Sequence, residues 1–88
     1  MKQIPKKMLD SLIYMKRLYW KDGDKELLEG IHALNDKIES VCGLDWLAID
    51  CFVSSIVKTP EADNTVIYKA LAVFGWEVVE SVAIDTPN

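Results

Sequence analysis

LDWLAIDCFVSSIV, residues Leu44–Val57, is the most apolar helix-length run in the chain. At about 100° per residue, Trp46, Ile49, Phe52, Val53, Ile56 and Val57 form one broad apolar arc. Ala48, Cys51 and Ser55 recur at i, i+3 and i+7 on the opposite side. Small residues at that spacing let a second helix backbone approach closely, while the large arc packs a first neighbour. Within the helix and outside those two faces, only Asp50 and Ser54 favour water. The reading predicts a helix with two packed faces, set in the middle of a bundle. Its neighbours then decide the fold.

Downstream, Thr59-Pro60-Glu61 supplies a cap candidate, a first-turn proline and an acid near the positive end of a helix dipole. The helix it opens presents Val66, Ile67, Ala70, Leu71 and Phe74 on one face. Continued past Gly75, that helix would rotate Glu77 and Ser81 into the buried stripe, so it must kink or end there. Residues 76–84 fit a short fifth helix or a strand with Trp76, Val78, Val82 and Ile84 on one face. Valine content favours a strand. No obvious partner strand stands elsewhere in the sequence, and a helix is the reading adopted.

Upstream, residues 5–21 read as the first helix, with Pro5 in its first turn. Ile4, Met8, Leu12, Met15 and Tyr19 form one stripe at helical spacing. Leu9, Ile13 and Trp20 form a second ridge, with Lys16 between the two. One neighbour helix does not need so much apolar surface. The second ridge is therefore a candidate partner or dimer contact, set against packing on a third helix of the same chain. Asp22-Gly23-Asp24 breaks this helix and caps the next, which runs to about Val41. Leu27, Ile31, Leu34, Ile38 and Val41 give it the seam of an antiparallel hairpin, and its far face is charged. Gly43 stops it, and Asp45 is placed to cap the central helix.

The pattern defines an all-α class: a small four-helix bundle with the fifth element at 76–84, in a single domain spanning 1–88. A chain of 88 residues buries only about 60% of its unfolded surface. Half of its residues are apolar, which leaves some apolar surface for a partner or a second copy, a homodimer. No apolar run reaches the roughly 18 residues of a membrane span. The first residues lack a signal-peptide core, so a cytoplasmic protein is expected, with Cys42 and Cys51 as free, buried thiols.

Net charge is −4, unevenly spread. Residues 1–21 carry six cations against Asp10, or +5; residues 22–88 carry four lysines against thirteen acids, or −9. A basic first helix thus faces an acidic body, and the two attract each other within a molecule or between copies.

No motif identifies an activity. His32 is the sole histidine, four residues before Asp36, and a hydrogen bond between them is its plain role. His32-Ala33-Leu34 is similar to the start of the histidine phosphotransfer motif H-x-L-K-G, but Asn35 and Asp36 stand where that family has Lys and Gly. An acid there repels a phosphoryl group. Asp10-Ser11-Leu12 resembles the attachment tripeptide of acyl carrier proteins, small acidic helical proteins, yet Ser11 falls inside a basic helix instead of opening the second one. Asp50, if buried, needs a donor; otherwise it reaches the bundle edge beside Ser54. Arg17 is the one arginine, too few for a helical enzyme acting on dianions, and acidic pairs such as Glu77/Glu80 lack histidine partners for a metal. No catalytic, cofactor or metal site is expected.

What is expected is a non-enzymatic interaction module that inhibits, protects or regulates a larger protein partner. In size, charge and helicity it resembles immunity proteins and antitoxin-like inhibitors. The acidic surface of the second and fourth helices is expected to mimic the charge of nucleic acid and occupy a basic cleft of the partner. The alternative is a nucleic-acid-binding regulator acting through Lys6, Arg17 and Lys21 of the first helix, with Tyr14 nearby. The acidic body makes nucleic acid the lesser partner.

Overall fold

The computed structural model describes residues 2–80. The order of elements is β1 (Lys2–Pro5), α1 (Lys6–Asp22), α2 (Lys25–Cys42), α3 (Trp46–Ile56), α4 (Asn64–Val73) and β2 (Trp76–Val79). The fold is mostly helical, four helices joined by one short parallel strand pair.

That pair corrects the helical reading of the fifth element. Trp76–Val79 is a strand, and its partner is Lys2–Pro5, in parallel register with Lys2 opposite Trp76 and Ile4 opposite Val78. The ladder continues as the Lys2 amide donates to the Gly75 carbonyl at 3.1 Å. A two-stranded ribbon is marginal alone. Here Ile4 and Trp76 send their side chains into the core, and Trp76 meets Trp46 edge-on with ring centroids 6.2 Å apart. Pro5 ends β1 because it has no N–H to give, and its φ of −64° leads directly into α1. Residues 81–84 of the proposed fifth element lie outside the described residues.

The local stop signals act as their chemistry dictates. Gly23 ends α1 in the left-handed conformation (φ +68°), and its amide donates to the Tyr19 carbonyl. The Asp24 carboxylate accepts from the Glu26 amide and starts α2. Gly75, at φ +88°, turns the chain from α4 into β2.

Two start signals differ from expectation. Asp45 makes no cap; its carboxylate pairs with Lys2. Thr59-Pro60-Glu61 forms a turn, the Thr59 carbonyl accepting from the Ala62 amide, and α4 starts later, capped by Asp63 on the Val66 amide. Ala62 is buried, and Arg17 donates to its carbonyl, so a tertiary anchor holds that turn open. Glu61 and Asp63 therefore precede α4, which carries no acid of its own.

The central helix is α1, not α3. Leu9, Leu12, Ile13 and Lys16 are all buried, so the inward face of α1 lies between its two ridges. α1 and α2 share the most extensive helix interface, close enough that a Cβ on Gly30 would sit 3.1 Å from Met15 Sδ. Side chains of α1 also reach α3 from Lys16, α4 from Asp10, and the α3–α4 loop from Arg17. α3 buries Trp46, Ile49 and Val53 on one side. Its small-residue side, Ala48, Cys51 and Ser55, faces solvent and packs on no second helix of the described chain. The hairpin seam holds at Ile31 and Ile38; Val41, at its end, is exposed.

Candidate functional site

The ridge proposed as a contact does not lie together on the surface. Leu9 and Ile13 are 0% and 1% exposed and belong to the core; Trp20 stands outside, with the Lys58 ammonium 4.8 Å from its ring centroid. The basic residues of α1 also separate. Lys6 donates to Asp10 at 2.8 Å and lies over the Tyr68 ring, Arg17 is engaged by the Ala62 carbonyl, and Lys21 is exposed, with no ion pair among the described residues. Tyr14 is exposed, apart from these contacts.

A different surface collects the exposed apolar side chains. Leu44 (71% exposed) and Leu47 (53%) mark the start of α3, followed on the same side by exposed Ala48 and Cys51. Phe74 (57%) adjoins them: Ala48 and Phe74 line one depression, and Phe74 packs edge-on against Phe52 with centroids 5.3 Å apart. Isolated exposed leucines are ordinary, but a contiguous group on one helix face marks an interaction surface. Cys51 therefore sits outside, contrary to the expectation of two buried thiols. Cys42 is half-buried, and burial raises its thiol pKa above the ordinary value while Lys2 opposes. Both cysteines are free.

On the flank of α3, between its buried face and its outer face, the bundle opens a cleft of about 370 Å³ against α1 and α2. Its floor holds Lys16, 8% exposed, whose ammonium donates to Ser54 Oγ and lies 2.7 Å from Asp50 Oδ1. Asp50 Oδ1 is buried and, beyond this ion pair, has no hydrogen-bond partner among the described residues. Asp50 thus turns inward to a donor and does not stop at the bundle edge. Asn35 lines the same cleft, its Oδ1 accepting from the indole N–H of buried Trp46 at 3.0 Å. His32 stands at the rim, exposed; the hydrogen bond expected to Asp36 does not form.

A second polar cluster ties α1 to α4. Asp10 accepts from Asn64 at 3.1 Å, from the Tyr68 hydroxyl and from Lys6. Burial, then the bond to Asp10, raises the Tyr68 pKa; the hydrogen bond to Asp10 raises that of Lys6. No group of three or more His, Cys, Asp or Glu among the described residues is placed to hold a metal ion. No helix among them is long and apolar enough to cross a membrane.

Sequence reasoning did not foresee the cleft. Its signal was the lone Lys16 between two apolar ridges and the lone Asp50 in an apolar run, two unmatched charges that match each other. No protein-family model, curated protein or solved structure significantly matches the chain.

Proposed function

We propose that the chain is a non-enzymatic interaction module that inhibits or regulates a larger protein, and that its docking seat is the outer side of α3. The observation that carries this reading is the group of exposed apolar residues Leu44, Leu47 and Phe74 around the small residues Ala48 and Cys51. Large apolar flanks with a small-residue floor suit an amphipathic helix of the partner, whose backbone can approach at Ala48 and Cys51 while its side chains reach the flanks. Acidic mimicry has narrower support: Glu26, Glu29 and Asp36 of α2 are exposed, and α4 contributes no acid. Binding of nucleic acid through α1 has less support still, because Lys6 and Arg17 are held by intramolecular partners.

The test is affinity capture from the source lysate with wild type and with Leu47→Asp and Phe74→Asp, both at exposed positions, the fold of each variant checked by circular dichroism. Loss of one stoichiometric partner in both variants, with capture unchanged at high salt, is the expected result. Capture that survives both substitutions but fails at high salt moves the seat to the acidic face of α2. A particle of twice the chain mass that Leu47→Asp reduces to monomer makes the occupant a second copy.

A further inference from the structure

We propose that the cleft between α1, α2 and α3 is a binding site for a small aromatic monocarboxylate. The inference does not rest on the docking reading: it stands on the polar groups of the cleft and not on the exposed apolar side chains of α3.

The first observation is the ion pair on the floor. A lysine that is 8% exposed, paired with an aspartate, does not account for itself by stability. Withdrawing both charges from water costs as much as or more than their attraction returns, and apolar residues of the same volume usually serve the fold as well. An ammonium so held on the floor of a cleft is better explained by what the cleft binds. Lys16 has three N–H donors; Ser54 Oγ accepts from one, Asp50 is held as an ion pair at 2.7 Å, and no other acceptor among the described residues engages the ammonium.

The second observation is Asn35. The indole N–H of Trp46 is a donor only, and Trp46 is fully buried, so the Asn35 oxygen must face it. That pins the amide and leaves its NH₂ group, two donors, without a partner among the described residues. At the mouth, Lys58 adds an ammonium held over Trp20. Donors therefore outnumber the one unpartnered buried acceptor, Asp50 Oδ1, and Lys16 and Lys58 against Asp50 leave a net charge of +1. One carboxylate answers both counts. A dianion would bring its second charge against Asp50, and a cation would meet two ammonium groups.

The walls set the body of the ligand. Leu28, Ile31 and Val57 are aliphatic, and Tyr19 and Trp20 present rings. The volume lies at the lower end of small-molecule sites, enough for one or two fused rings.

The experiment is a two-dimensional ¹H–¹⁵N NMR titration with indole-3-acetate, with 3-methylindole as the neutral body and tryptamine as the cationic one. The proposal expects saturable shifts at the Trp20 indole, the Asn35 side-chain amide and Ser54, with Gln3 unmoved. Indole-3-acetate should bind at least about tenfold more tightly than either control. The double variant Lys16→Met/Asp50→Leu removes both charges together and should lose about tenfold in affinity for indole-3-acetate. Lys58→Ala, at an exposed position, should weaken it severalfold and keeps the test open if the double variant does not fold. Equal binding of 3-methylindole, preference for tryptamine, full affinity in a folded double variant, unchanged affinity in Lys58→Ala, or no saturable shift up to about 10 mM would each overturn the proposal.

Discussion

α1 is basic and carries two apolar ridges; α3 is the more apolar helix, with few charges. Hydropathy alone would bury α3 on every side and leave part of α1 for a partner. The structure distributes them the other way. α1 buries Leu9, Leu12, Ile13 and the stem of Lys16, while α3 leaves Leu47, Ala48, Cys51 and Ser55 in solvent. The difference lies in length and charge matching. Long side chains let α1 bury hydrocarbon while their charged ends find partners on other elements: Lys16 at Asp50 and Arg17 at the Ala62 carbonyl. α3 has only 11 residues and short side chains on its outer face, which reach no third element. A helix becomes central by the number of neighbours its side chains can satisfy, not by its mean hydropathy.

Paired truncations test that contrast most strongly. Leu12→Ala on α1 removes a fully buried side chain and should cost about 2–5 kcal/mol, a large share of the stability of so small a domain. Leu47→Ala on α3 should change stability by no more than about 0.5 kcal/mol. Urea unfolding of both variants decides. Equal losses would erase the distinction between the helices.

The charge match comes next. Lys16→Met keeps the buried stem but strands Asp50, whose side chain is 24% exposed. The cost should therefore fall below the roughly 3–5 kcal/mol of a fully buried broken pair, near 2 kcal/mol. Adding Asp50→Leu should restore most of it. If the second substitution deepens the loss, the pair is a net stabiliser and its matching, not the stem of Lys16, holds α1 inside.

A smaller effect belongs to the contact of α1 with α4. Tyr68 has a raised pKa in the folded state, so its contribution is fully present below about pH 10 and is lost as pH rises through the raised value. The Lys6 shift has the same sign. Tyr68→Phe should cost about 1 kcal/mol near neutrality through the lost bond to Asp10. It should also flatten part of the alkaline fall in melting temperature. A steeper fall in the variant would contradict the assigned origin of the shift.

The helices and most of their breaks were legible because their signals are local: Gly23, Asp24, Gly43 and Gly75 each act within a turn of their own position. What escaped depends on distant residues. Nothing near Trp76–Val79 discloses that four residues at 2–5 will pair with it, and Pro5 disguises those four as the approach to a helix. The Thr59-Pro60-Glu61 signal was sound, but the Ala62 anchor and the stronger Asp63 cap displaced the start of α4. For the site, Lys16 and Asp50 were each visible as misfits in apolar surroundings. Their pairing across 34 positions was not, because a charge on one helix face selects no particular partner until the helices are packed.

The open outer side of α3 supports the proposed function and is accessible to one direct measurement. Native protein is treated with a maleimide under reducing-agent-free conditions, and the modified sites are followed by mass spectrometry. The account predicts rapid labelling of exposed Cys51 and slow labelling of Cys42, whose thiol is half-buried, raised in pKa by that burial and placed 3.5 Å from the Gln3 carbonyl. Cys51 as slow as Cys42 in the isolated monomer would mean that the outer side of α3 is covered by its own chain, and the contrast between the two helices would fall.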